Sequence, residues 1–308
     1  MAIASGASRG LAYGAQTARG TAATTTTLLR TAGAGQDLKN NQNRLAPASI
    51  REDGQPNAGA MGTHSSSATV PVNIAYGDYD GFMAAALRQK PTAWPASPGP
   101  YTLNFGTDLT YWTFEDRFTD IGQYIVYKDM VLNTMKVTAT QSDSGAYVTG
   151  EFSFIGTTRT ISSTQIATPA AAGTTTPVTA CGGVVSIGGA AVATVTSFDF
   201  TVDNGLGNVF VLGQCGAYDV SKGEIKVTGS LSVLFEDATY INDVDNNTDL
   251  DIKLVLTDED ANTITFEFPA ANLTSDSLSG GTSNLTLALP FEAHYDATAA
   301  TTLKISHS

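Results

Sequence analysis

The chain has 308 residues, of which 42% are hydrophobic, 15% charged and 43 threonine, and its formal net charge is −13 at pH 7. That balance excludes a general affinity for nucleic acid or anionic membrane, which both need clustered Lys and Arg. Few charges and many threonines suit half-buried strands better than solvated helices, so a mainly β protein is expected.

The charge is uneven: residues 1–60 carry net +3 and residues 61–308 net −16. Residues 1–65 are rich in Gly, Ala, Thr and Asn with little periodicity. Alone they cannot bury enough apolar surface to be compact, and they read as an N-terminal arm that either stays loose or orders against another surface. The first 20 residues lack the apolar core of a signal peptide and nowhere do 18 apolar residues run together, so neither export by that route nor a membrane-spanning helix is expected.

A body of residues 66–308 follows. From Ser66 to Tyr76, Val70, Val72, Ile74 and Tyr76 alternate with more polar residues, the two-residue period of a strand with one dry face. Phe82, Met83, Ala86 and Leu87 then take helical spacing, with Asp78 or Asp80 as the expected cap and Pro91 as the stop. A loop containing Pro91, Pro95, Pro98 and Pro100 comes next. Strands are expected at Tyr101–Phe105, Leu109–Glu115 and Tyr124–Met130.

Two hairpins share one plan. Val131–Thr140 turns at Ser142–Gly145 and returns along Tyr147–Ile155; Ala193–Val202 turns at Asp203-Asn204-Gly205 and returns along Glu224–Phe235. Their return strands repeat a word, VTGEFSFI from Val148 and VTGSLSVL from Val227. The Thr-, Ala- and Gly-rich stretch 157–191 reads as a low-complexity excursion or surface projection, and 206–222 as a smaller insertion. After the acidic segment Glu236–Asp249, with room for a helical turn or two, alternation at Leu250–Leu256, Ile264–Phe268 and Leu285–Phe291 predicts a β meander. The fold class is therefore an antiparallel β-sandwich or barrel with one flanking α-helix and a long N-terminal arm.

No constellation carries catalysis. Asp243, Asp245, Asn247 and Asp249 resemble a calcium loop, but Thr248 and Leu254 stand where an EF-hand needs Gly and Glu, so an acidic solvated loop is the better reading. His64, His294 and His307 have no Ser or Cys in a nucleophile context beside them. Gly77–Gly81 lacks the Lys and Ser/Thr of a phosphate loop. Cys181 and Cys215 are in no metal-ligand spacing; free thiols are favoured, although both lie near β segments and could pair. No enzyme, metal or cofactor is predicted.

Several segments together resemble the tail tube proteins of long-tailed bacteriophages and related phage-like particles. They are Leu11-Ala12-Tyr13-Gly14, Ser49-Ile50-Arg51-Glu52-Asp53-Gly54-Gln55, the strand-to-helix unit Ile74–Leu87, Val148–Gly156, Val227–Asp237, and Leu285–Ile305 with Leu289-Pro290-Phe291-Glu292-Ala293 and Tyr295-Asp296-Ala297. Gly54 stands where the family commonly has Arg, and the stretches 157–191 and 206–222 fall outside the likeness. The resemblance implies a virion tail subunit, assembled in the host cytoplasm, that closes with five siblings into a hexameric ring. Strands from all six would form an oligomeric ring barrel, and stacked rings a hollow tube for genome delivery. Implied partners are sibling copies and, at the tube ends, tape measure, distal tail and terminator proteins; DNA would pass without specific binding, and no membrane is involved.

On that reading Arg44, Ile50 and Arg51 dock the arm on a neighbouring subunit. Thr149, Glu151, Ser153, Thr228, Ser230 and Ser232 are the candidates for a polar face lining the lumen, the alternative being that this face meets outer solvent. A β-sandwich module that binds glycan through Trp94, Trp112 and the acidic loop, decorating a virion or cell surface, is the other function class.

Overall fold

The computed structural model describes residues 3–32, 35–90, 100–280 and 284–308. In chain order it places strands β1 (Arg9–Ala15), β2 (Thr27–Leu28), β3 (Asp37–Leu45) and β4 (Ala60–Asn73), then helix α1 (Asp80–Ala86). There follow β5 (Tyr101–Leu103), β6 (Tyr111–Phe118), β7 (Gln123–Thr140), β8 (Thr149–Gly156), β9 (Thr158–Ser162), β10 (Gly183–Ile187) and β11 (Ala190–Val192). The remainder is β12 (Val195–Asp203), β13 (Gly207–Val209), β14 (Asp219–Ser221), β15 (Lys226–Leu234), helix α2 (Thr239–Asp245), β16 (Leu250–Thr257), β17 (Thr263–Leu273), β18 (Ser277–Ser279), β19 (Thr286–Ala293) and β20 (Lys304–His307).

Every ladder among the described residues is antiparallel, and two layers face each other. One runs β3–β4–β8–β7–β12–β15–β19. The other runs β11–β10–β16–β17–β20–β5. Alternation gives each strand one apolar side, and these sides meet: Phe200 of β12 lies 5.0 Å from Phe266 of β17, and Phe268 of β17 lies 5.3 Å from Phe291 of β19. Each such buried ring contributes about 1.5–3 kcal/mol by leaving water.

β7 is one long strand where separate strands at Tyr124–Met130 and Val131–Thr140 were expected. Its first half pairs with β6 and β9 and its second with β8 and β12. The bend between them contains Asp129, a buried non-glycine residue at φ 56°. Its carboxylate accepts from the Gly20 amide at 2.6 Å and the Thr157 hydroxyl at 3.0 Å, which holds a conformation that L-residues disfavour.

From Phe82 onward α1 is apolar, and Phe82 to Ala86 are all buried. Phe82 packs 4.8 Å from Tyr13, 5.0 Å from Trp112 and 5.2 Å from Phe154. Neither expected aspartate caps it. Tyr79 occupies the cap position without a side-chain bond to the helix, its hydroxyl donating to the Arg30 carbonyl instead; Asp78 faces Arg30 at 3.7 Å, and Asp80 lies in the first turn. The helix ends with Arg88 in the left-handed region at φ 53°; Pro91, with Pro95 and Pro98, lies outside the described residues.

Other departures have physical reasons. Residues 1–65 contain β1, β2 and β3, and β4 starts at Ala60 instead of Ser66. β1 pairs along its whole length with β6, and its Tyr13 packs on α1, so this part of the presumed arm is bound into the fold. The stretch 157–191 is no free projection. β9 pairs with β7, β10 pairs with β16, and the buried Glu115 carboxylate accepts from the Ile166 amide at 2.7 Å and from Arg117 at 2.9 Å. The acidic segment forms α2, the two helical turns for which it has room and a second helix in the fold.

Candidate assembly surfaces

The repeated word is a strand whose third residue is a glycine on the core side. A β-carbon at Gly150 would run into Ile74, and one at Gly229 into the Phe291 ring and the Asp199 carbonyl. The flanking residues then point outward: Thr149, Glu151 and Ser153 from β8, and Thr228, Ser230 and Ser232 from β15. Two strands, β7 and β12, separate β8 from β15 in the same layer, so all six candidates share one face.

That face is continuous. Glu151 is in register with Lys136, and Lys136 with Thr201, which in turn stands opposite Thr228 and, one strand further, Glu292. One row along, Thr149, Thr138, Asp199, Ser230 and Pro290 succeed one another. Thr69 of β4 extends it at the other side, its hydroxyl 3.5 Å from that of Ser153. From β4 to β19 the face is roughly 24 Å wide, at about 4.8 Å per strand. Its charged members are Glu151, Asp199, Asp203 and Glu292 against Lys136 and Lys226. The residues of β7, β12 and β19 were missed in the sequence, although Val137 and Ala139, and Phe198, Phe200 and Val202, carry the same alternation.

Arg44, Ile50 and Arg51 fall on one exposed feature, the hairpin of β3, residues 46–59 and the start of β4. Arg44 is in register with Met61, and Ile50 is 96% exposed. Arg51 holds Asp53 through two bonds of 2.9 and 2.8 Å. The Arg51 guanidinium, helped by the Gln55 amide, keeps the Asp53 carboxyl below its usual range. Gly54 follows at φ 69°, a backbone an arginine would adopt only under strain. Among the described residues β3 forms a ladder only with β4, so its outer edge is open to another strand, although the Leu38 carbonyl accepts from the Tyr127 hydroxyl at 3.1 Å.

The other candidate chemistry disperses. Trp112 is 2% exposed and packed between Tyr13 and Phe82, so it offers no face to a sugar; Trp94 lies outside the described residues. Asp243 and Asp245 sit on α2, whereas Asp249 accepts from Asn272 at 2.7 Å and lies 3.6 Å from His294. No three His, Cys, Asp or Glu side chains converge as metal ligands among the described residues. His307 is buried, stacked between Tyr76 at 4.9 Å and Tyr101 at 4.5 Å. Cys181 and Cys215 are both exposed and form no disulfide. No helix among the described residues is long and apolar enough to cross a membrane.

A family model described as "phage tail tube protein" matches residues 6–295. No curated protein matches the chain.

Proposed function

The chain belongs to the phage tail tube protein family, structural and non-enzymatic components of the virion tail, and from that premise we propose that six copies close into a ring whose stacking makes a hollow conduit for genome delivery. The observation that carries this reading is the continuous polar face from β4 to β19, backed by a dry core. Such a sheet suits a wall with one wet side and one side packed on protein. Turned inward, the face lines the bore with hydroxyls and more carboxylates than ammonium groups, and a ring of six copies at −13 each carries about −78 before counterions. Phosphates are repelled, so DNA slides without being held.

Ring closure uses sheet edges that a lone copy leaves open, β3 foremost, and the symmetric arrangement converts an aggregation hazard into a specific contact. The hairpin with Arg44, Ile50 and Arg51 reaches the next subunit or ring. Residues 1–65 act as the assembly arm through this hairpin, and 66–308 as the tube body. Tube ends meet the tape measure, distal tail and terminator proteins.

Negative-stain electron microscopy of the purified full chain tests the reading. Hollow rods or six-fold rings are expected; a protein that stays monomeric at high concentration would overturn it.

A further inference from the structure

The stretch 206–222 builds an apolar knob. β13 and β14 form their own two-stranded ladder, and the loop between them carries Phe210, Val211 and Leu212, the last fully exposed at 104%. The loop is fixed from below. The His64 amide donates to the Cys215 carbonyl at 2.8 Å, the Ala217 amide returns a bond to His64 at 2.9 Å, and Arg19 stacks on Tyr218 at 4.8 Å while pairing with Asp219. Among the described residues none covers Leu212.

A matching socket exists at the far end of the same strand. A cavity of about 280 Å³ opens between β10–β11 and the start of β12, lined by Ala139, Val184, Val192, Val195 and Leu254 among others. It falls just short of the roughly 300–1,000 Å³ of small-molecule sites and suits one or two aliphatic side chains. The knob lies beyond Asp203 and the socket beside Val195, so the length of β12, roughly 26 Å at about 3.3 Å per residue, separates them. Neither can reach the other within one copy.

Charge singles out the same two places. The run from Gly207 to Tyr218 contains no charged residue, and no charged side chain lines the socket, in a chain of net charge −13. Like-charged copies repel elsewhere but not here. The only two cysteines mark both ends: Cys215 is three residues past Leu212, and Cys181 lies beside the socket, 3.3 Å from the lining residue Gln141.

We propose that Leu212 and its neighbours on one copy insert into the β10–β11–β12 socket of the next, a head-to-tail contact. It rests on the tube reading for the identity of the occupant, a second copy. Because knob and socket are different surfaces at opposite ends of β12, the contact is heterologous and propagates instead of stopping at a dimer.

A short bis-maleimide applied to the assembled full chain tests it. Wild type should give a ladder of cross-linked oligomers. Cys181→Ser and Cys215→Ser alone should give none, and the two variants assembled together should give dimers only. Cross-linking within either single variant, or rods that do not cross-link at all, overturns the contact and leaves the tube reading intact. Leu212→Asp, at a fully exposed position, should raise the concentration needed for assembly roughly tenfold or more, the worth of burying one leucine side chain. Assembly at the wild-type concentration overturns the contact. Wild type that forms no rods or rings overturns the tube reading and the contact with it.

Discussion

The Arg88 guanidinium donates to both oxygens of Asn204, at 2.9 Å to Oδ1 and 2.7 Å to the backbone carbonyl. Both residues are buried, and burial lowers the Arg88 pKa with no carboxylate to offset it. Asn204 in turn donates to the carbonyls of Ala86 and Leu132 at 3.1 and 3.4 Å. The pair thus ties the end of α1 to the turn between β12 and β13. Asn204→Ala leaves a buried cation short of a partner and two carbonyls unmet, so it should cost about 2–4 kcal/mol in chemical denaturation. Arg88→Gly, which accepts φ 53° without strain, should cost less than Arg88→Ala.

Gly229 makes room for Phe291. Gly229→Ala places a β-carbon inside that ring and against the Asp199 carbonyl, and should destabilise by about 1–3 kcal/mol. Adding Phe291→Leu should return part of the loss, seen as a non-additive double-mutant cycle in urea. Additive losses would show that the repeated glycine does not act through the ring.

Much of this architecture is legible in the residues because burial imposes alternation. Phe198, Phe200 and Val202, or Val227, Leu231 and Val233, announce strands with one dry side, and their polar partners announce the face. β3 (DLKNNQNRL) has no such signal: its residues are half or fully exposed, and its strand form comes from the ladder to β4. β1 was hidden by small residues, whose value is close approach; a β-carbon at Gly14 would strike the Thr25 carbonyl. The tether of the 157–191 stretch to Glu115 was illegible because it joins residues 51 positions apart through a backbone amide. Sequence locates the polar face, but its orientation in an assembly belongs to a second copy.

Glu267 couples stability to pH. Burial opposes its ionisation, but Lys304 at 3.0 Å and Lys253 at 3.1 Å prevail and hold the carboxyl below its ordinary 4.5. A depressed carboxyl stabilises the fold in full above its unfolded value and loses that contribution as pH falls through its folded value. Urea midpoints should therefore drop below about pH 4.5 less steeply in Glu267→Gln than in wild type. Parallel curves would dismiss the cluster as a pH-dependent clasp.

Ser230 reports which side the polar face takes. In rods of a Ser230→Cys variant with both native cysteines replaced by serine, a bulky maleimide unable to enter the tube should leave the thiol unmodified. The same variant unfolded in urea should react completely. Fast labelling in intact rods would put the face on the outside.

The arm's role needs a narrower deletion than removal of residues 1–60. Such a cut would take β1, with buried Leu11 and Ala12 and with Tyr13 against Phe82, and would unfold the body whatever the arm does. Residues 46–58 are exposed or half-exposed and carry Ile50 and the Arg51–Asp53 pair, a surface ion pair worth little to folding. Replacing residues 46–59 with a two-residue Asn-Gly turn between Leu45 and Ala60, which stand in register, keeps the β3–β4 ladder and should leave the melting temperature within a few degrees of wild type. Assembly should fail or stop at single rings, as read by sedimentation and microscopy. Full-length rods from this variant would show that the hairpin tip, and with it Ile50 and Arg51, makes no contact that the tube needs.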